Sequence, residues 1–180
     1  MHHFQALPFQ NKIYVLGAFT GGFPHETPIP DINSYDPATD EWIKEVSIPE
    51  NRRRVAAGVV AYQDKIYMLC GIQDGHYDGH VAWLDEYDPA TGEWTELPDA
   101  PRPRDHFQGA VKGTKLYAAG GRNTSAKTKQ TMELTINEID VYDFSTGEWA
   151  TLENPLPTER AGTTSIVVDD QLIVIGGESG

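Results

Sequence analysis

A single cysteine, Cys70, stands in the 180 residues, so no intrachain disulfide can staple the fold and packing alone must hold it. Cysteine usage leaves the redox compartment open, because large secreted domains also lack disulfides. Positive charge is scarce as well: 14 Lys and Arg against 27 Asp and Glu give a net charge of −13. Nucleic-acid phosphates and anionic lipid surfaces repel a molecule of that sign, so nucleic acid is not an expected partner. No apolar run approaches the roughly 20 residues that cross a bilayer. The opening MHHFQALPFQ lacks the basic and apolar regions of a signal peptide. Membrane insertion is therefore not expected, and a secreted or periplasmic location would follow only from a leader on a longer parent chain. The catalytic-triad, phosphate-loop and HExxH patterns are missing too, which sets a binding role ahead of an enzymatic one and calls for no cofactor.

Turn formers, in contrast, are plentiful. Seventeen Gly and 12 Pro imply many turns between many short elements, the composition of an all-β chain. One eight-residue stretch occurs three times, as YDPATDEW (35–42), YDPATGEW (87–94) and YDFSTGEW (142–149), with its tryptophans 52 and 55 residues apart. A second marker, an apolar run closing on small residues, precedes each copy: IYVLGA (13–18), IYMLCG (66–71) and LYAAGG (116–121), with a fourth, LIVIGG, at 172–177. Arg54, Arg104 and Arg160 each lie thirteen residues before the second position of a marker, at Tyr67, Tyr117 and Ile173. The same offset from Tyr14 lands on Met1, and HFQALPFQNKIY (3–14) aligns with HFQGAVKGTKLY (106–117) without a gap.

Each unit divides into four strands. The first follows the arginine, the second is the marker, the third ends in Tyr-Asp and the fourth begins at Glu-Trp. Asp88-Pro89-Ala90-Thr91-Gly92 has the residues of a tight hairpin: Pro presets φ, Asp bonds its own backbone, and Gly92 accepts the left-handed conformation. Asp40 stands in that last place in the first copy. The large apolar bodies of the repeat tyrosines and tryptophans would be exposed on one isolated sheet, so the next unit must cover them. Tyr35, Tyr87, Tyr142, Trp42, Trp94 and Trp149 are expected to be buried between units, with no helix of three turns anywhere.

A radial stack of four-stranded sheets is a β-propeller, and diglycine, Tyr-Asp-Pro and Trp at about 50-residue spacing resemble the kelch repeat. The resemblance covers essentially the whole chain. It implies a kelch-type β-propeller in part, about 3.5 four-stranded blades, at approximately 1–49, 50–100 and 101–156 with a half blade at 157–180. In a six-bladed ring that is an arc of about 210°. The remaining blades are expected from a longer parent chain, a self-associating half propeller being the alternative.

With four antiparallel strands per blade, the loops from strand two to three emerge on the same face as the segments that enter strand one. The long loops are all of that kind: 18–33, 71–83 and 121–137. This face is the expected binding surface. Arg54, Arg104 and Arg160 enter it near the channel, flanked by Arg52, Arg53, Arg102 and Arg122. They would form either a cationic ring for a carboxylate or sulfate, or struts to Asn33, Asp85 and Asp140, which stand two residues before each repeat tyrosine. The periodicity of both partners favours struts. His25, His76, His80 and His106 are further ligand candidates there. Asp74, His76, Asp78 and His80 in DGHYDGH are acceptable metal ligands, but alternate strand residues stand about 6.7 Å apart, too far for one ion at about 2.1 Å. No metal site is expected. Cys70, in a diglycine position, is expected to be a small buried residue; the cysteine–tyrosine copper arrangement of the kelch-like galactose oxidases has no counterpart. The resemblance implies a binding module for a protein or carbohydrate ligand. The alternative is part of a sugar-processing enzyme resembling the sialic-acid mutarotases, whose catalytic residues no motif here places.

Overall fold

The repeated Tyr-Asp to Glu-Trp stretch folds as the hairpin its residues dictate. In the computed structural model, which describes residues 1–180, Asp36, Asp88 and Asp143 each accept a hydrogen bond on Oδ1 from the amide two residues on. Those donors are Ala38, Ala90 and Ser145, at 2.9, 2.8 and 2.9 Å. The carbonyls of the same aspartates accept from the amides of Asp40, Gly92 and Gly147 at 2.9, 2.8 and 2.8 Å. These closing residues sit at φ of 59, 77 and 73°, a left-handed backbone that glycine adopts freely and Asp tolerates better than most. Across each hairpin the tyrosine faces the tryptophan: Tyr35 and Trp42, Tyr87 and Trp94, Tyr142 and Trp149.

The first sheet contains β1 (Gln5–Phe9) and β2 (Lys12–Leu16). A two-residue ribbon, β3 (Phe19–Thr20) with β4 (Thr27–Pro28), interrupts the loop before β5 (Asp31–Asp36) and β6 (Glu41–Ser47) complete the sheet. The second sheet repeats the plan with β7 (Gly58–Tyr62) and β8 (Lys65–Leu69), the loop ribbon β9 (Ile72–Asp74) with β10 (Asp78–His80), then β11 (Leu84–Asp88) and β12 (Glu93–Leu97). The third comprises β13 (Gly109–Lys112), β14 (Lys115–Ala119), β15 (Ile139–Asp143) and β16 (Glu148–Thr151). Its loop 121–137 carries no ribbon. The fourth has β17 (Ala161–Val168) and β18 (Gln171–Glu178) alone. Every four-stranded sheet is an antiparallel meander in chain order, and the first strands β1, β7, β13 and β17 pack side by side around a central channel. Helix is confined to single 3-10 turns at Glu50–Arg52 and Ala126–Thr128.

The core lies between sheets. Tyr14, Leu16, Ile32 and Ile48 of the first blade meet Val59, Ile66, Met68 and Tyr87 of the second. Tyr67, Leu69 and Leu84 of the second meet Phe107, Leu116 and Tyr142 of the third. The repeat tyrosines and tryptophans of the second and third blades thus face the preceding blade, and Trp149 donates its indole N–H to the Pro98 carbonyl of the second blade at 2.8 Å.

This direction corrects the expected burial of the six aromatics. Only Tyr87 and Tyr142 are buried; Trp94 and Trp149 are half-buried, Tyr35 is half-buried and Trp42 is 63% exposed. Trp42 and Tyr35 look outward from the first blade, where these 180 residues provide no preceding sheet. The strand-two position that pairs with the tyrosine shows the same step: Ile13 is 36% exposed, whereas Ile66 and Leu116 are 0%. At the far end Ile166, Val168, Ile173 and Ile175 are exposed for the mirror reason.

The periodic arginines brace each blade from within. Arg54, fully buried, donates to the carbonyls of Met68 (2.7 Å), Cys70 (2.6 Å) and Arg52 (3.0 Å). Its Nη1 also lies 2.6 Å from Asp85 Oδ2, an ionic contact without hydrogen-bond alignment. Arg104 repeats this on Ala118 (3.0 Å), Gly120 (2.6 Å) and the carboxylate of Asp140. Each aspartate serves a second arginine, Arg52 Nη2 on Asp85 at 2.8 Å and Arg102 Nε on Asp140 at 3.1 Å. Arg160 donates to the equivalent carbonyl, Gly176, at 2.8 Å. In the first unit Met1 takes the arginine's place, and the aspartate's place is held by neutral Asn33, whose amide reaches only the Asp31 carbonyl at 3.3 Å. Neighbouring blades are joined instead through the backbone: Gly71 and Gly121 amides donate to the Arg104 and Arg160 carbonyls at 2.8 and 2.9 Å. A Cβ on Gly120 would stand 2.7 Å from the Arg160 carbonyl of the next blade, so the approach requires glycine.

Two stability predictions follow from this packing. Ile66→Ala is expected to cost about 3 kcal/mol, and Ile13→Ala, the same change at the same repeat position, under about 1 kcal/mol; equal costs in urea unfolding would refute the directional packing. Asp140→Ala strips the carboxylate from buried Arg104 and from Arg102 and is expected to cost about 3–5 kcal/mol, against about 1 kcal/mol for Arg160→Ala.

Candidate functional site

The loops from strand two to three and the segments entering strand one meet on one face, as antiparallel geometry demands. Single bridges pair His2 with Phe19, Val55 with Ile72, and Asp105 with Arg122, so each entering segment is stitched to the start of its own blade's long loop. The residue that follows at the channel rim is left-handed in every unit: His3, Ala56, His106 and Gly162 have φ of 56, 50, 53 and 68°. The His106 amide donates to the Ala56 carbonyl at 2.9 Å and the Gly162 amide to the His106 carbonyl at 2.6 Å. These four residues, with Gln5 and Phe107, surround a cavity of about 140 Å³ at the channel mouth. Gln5 spans it, donating to the Phe107 carbonyl (2.6 Å) and accepting from the Val59 amide (2.9 Å). Below, the channel wall is apolar, formed by Leu7, Val59, Val60, Ala110, Val111 and Ile166.

Three imidazoles gather over this mouth. The long loop of the second blade turns at Gly75, where any Cβ would stand 2.4 Å from both Glu26 Oε2 and the Pro24 carbonyl. That close approach seats His76 against the first blade's loop, with its Nδ1 2.8 Å from Glu26 Oε1 and its amide donating to the Pro24 carbonyl at 2.8 Å. His106 Nδ1 bonds the buried carboxylate of Asp105. His3 completes the group, its ring 4.9 Å from that of His76 and 5.1 Å from that of His106; the latter two are 5.1 Å apart. Burial and the neighbouring imidazoles push His3 down to about 4. Burial and then His106 also lower His76, against the opposing pull of Glu26. Burial resists ionisation of Asp105, yet the hydrogen bonds from His106 and Thr124 outweigh it and hold the carboxyl below its usual range.

Asp105 is the hub of this wall. It accepts from the Thr124 amide and hydroxyl at 2.9 and 2.6 Å, with His80 Nε2 at 3.5 Å and Arg122 Nε at 3.9 Å. His80 Nε2 lies 2.6 Å from the Thr124 carbonyl oxygen. Arg122, itself buried, donates to Glu178 at 2.6 Å and Thr124 Oγ1 at 2.9 Å. Of the residues singled out in the sequence, His76, His80, His106 and Arg122 therefore come together. His25 turns outward, its ring tilted against that of Tyr77 at 4.3 Å and its Nδ1 3.3 Å from Asp74. Arg54 and Arg104 are enclosed within their blades, and Arg160 belongs to the two-stranded sheet. The four ligand types of DGHYDGH diverge: Asp78 pairs with Lys127 at 2.6 Å, and only His76 joins the imidazole group. Burial pushes the Cys70 thiol up to about 12, in keeping with a packing role. His3 was not singled out in the sequence; its signal is the gapless alignment that puts it in register with His106.

Comparison with known proteins places this architecture. The chain matches the family described as the KLHDC2/KLHL20/DRC7 Kelch-repeats domain over residues 1–177. Similar proteins include Kelch-like protein terF of Aspergillus terreus, 35% identical over 148 residues, which are 80% of this chain and 31% of that protein. Human Kelch-like protein 23 is 25% identical over 169 residues, 93% of this chain and 27% of that protein. Alpha-scruin of Limulus polyphemus is 27% identical over 152 residues, 79% and 15% of the two chains. The chain thus spans about a third or less of the length of these relatives. The solved structure of YjhT superposes with a TM-score of 0.79 at 18% identity, covering 97% of this chain and 58% of that one, a likeness of fold. Matched over nearly its whole length, with its blades, diglycines and Tyr/Trp hairpins in register, the chain belongs to the kelch-repeat family.

Proposed function

We infer that the chain is a binding module that takes a protein ligand on its loop face. The observation that carries this is the set of exposed apolar side chains on loops that are otherwise held rigid. Phe23 is 66% exposed on the first blade's loop, and Met132 and Leu134 are 39% and 37% exposed on the third's. His25 of the first loop and Tyr77 of the second form a tilted aromatic pair that joins these two loops. The loops lock onto one another: the Ala126 amide donates to the His76 carbonyl at 2.9 Å, as His76 does to Pro24. Apolar anchors on a preorganised surface spend little conformational entropy on binding and supply most of an interface's free energy. A carboxylate-bearing carbohydrate would need a free cationic ring, and the guanidinium groups of Arg54 and Arg104 are enclosed inside their blades, bound to blade carbonyls and paired with Asp85 and Asp140. The two exposed blade faces, around Trp42 and around Ile175, are surfaces on which further blades of a longer chain would pack.

Crosslinked partners recovered with the intact chain test the reading. Phe23→Ser combined with Leu134→Ser is expected to weaken recovery by about tenfold or more. Asp64→Lys, in the β7–β8 turn on the opposite face, is expected to leave it unchanged. Partners lost with the turn variant and kept with the loop variant would place the ligand on the wrong face and overturn the assignment.

A further inference from the structure

The three imidazoles at the channel mouth are arranged as metal ligands are arranged. We propose that His3, His76 and His106 form a binding site for one divalent transition-metal ion of the zinc class, with a remaining coordination position open toward the channel cavity.

Each of the three offers a ring nitrogen, and these atoms lie within 4.8 Å of one another. Two of the three rings are oriented by a carboxylate: Glu26 holds His76 Nδ1 at 2.8 Å, and Asp105 holds His106 Nδ1. A carboxylate on one ring nitrogen fixes the tautomer that leaves the other nitrogen's lone pair free, the usual outer-shell support of a metal-bound histidine. His106 shows the free nitrogen directly. Its side chain is 8% exposed, yet its Nε2 is buried with no hydrogen-bond partner, an arrangement that costs stability unless something is bound there.

The repeat explains how the group is assembled. His3 and His106 occupy the same rim position of two blades, both left-handed, and so project alike toward the channel. The blade between them has Ala56 at that position, which leaves space, and the space is taken by His76 from the same blade's long loop. A tetrahedral ion with nitrogens at about 2.1 Å holds them about 3.4 Å apart. Exposed His3 can supply that closure by rotating its side chain. No thiolate stands nearby, and a set of imidazoles suits zinc, cobalt, nickel or copper. Three neutral ligands leave the ion its full charge, so the open position favours an anionic group such as a carboxylate.

The test uses the whole chain without any added tag. Cobalt(II) is titrated as a spectroscopic probe, and zinc(II) is followed by calorimetry. The expected result is one ion per chain with the intense visible absorption of tetrahedral cobalt. His76→Ala and His106→Ala should each abolish that signal, and Glu26→Gln should weaken affinity by about tenfold. Far-ultraviolet circular dichroism of every variant checks that the sheets persist; because His3 is exposed, His3→Ala is the variant least able to act through misfolding, and it too should lose the signal. Absence of stoichiometric binding would overturn the proposal. So would binding that survives His76→Ala and His106→Ala, since that ion would sit on the amino-terminal Met1-His2-His3 segment alone.

Discussion

Every blade of this molecule is apolar on both faces, and that one constraint governs the rest. A four-stranded sheet with tyrosine and tryptophan on one side and the aliphatic and aromatic residues of strand two on the other cannot stand in water. It needs a neighbour before and a neighbour after. The second and third blades have both, and there Ile66, Tyr67, Leu69 and Leu116 are sealed. The first and fourth have one each, and the same repeat positions open to solvent at Ile13, Ile173 and Ile175. Position in the stack decides the environment of otherwise equivalent residues.

Stacking alone would let blades slide, and the arginines and glycines remove that freedom. Arg54 and Arg104 each tie the marker strand to the third strand of their own blade, while the backbone carbonyls of Arg104 and Arg160 receive the diglycine amides of the blade before. Ion pairs taken out of water contribute little net stability compared with apolar packing, but an unpaired member is strongly unfavourable, so such a network admits only one register. The consequence reaches the loop face. Because the residue two positions after each arginine stands at the rim in a left-handed conformation, the register of the blades fixes where His3 and His106 point. The binding face and its histidines are therefore consequences of the scaffold rather than additions to it.

Periodic features were legible in the sequence; aperiodic ones were not. The constant arginine-to-marker offset revealed the repeat of four-stranded sheets, and the pairing of Arg54 with Asp85 and of Arg104 with Asp140 followed from two-residue alternation. The hairpin chemistry of Asp88 and Gly92 was equally local. Trp42 was misjudged because a repeat pattern treats all units alike, whereas burial depends on which neighbours exist. Convergence of His76 with Glu26 was hidden for a different reason: both belong to long loops of unlike sequence, and only the close backbone approach at Gly75 brings them together. His3 was visible in the alignment with His106, yet a histidine present in two units of four does not look like a repeat feature.

Native-state hydrogen exchange tests the dependence of each blade on its neighbours most directly. Strands β8 and β14 lie in blades covered on both faces, and β2 and β18 occupy the same place in blades covered on one. The account predicts that amides of Ile66–Met68 and Leu116–Ala118 exchange only through the largest opening, at least about 100-fold more slowly than those of β18, with β2 between. Uniform protection across the four strands, or greatest protection in β18, would contradict it.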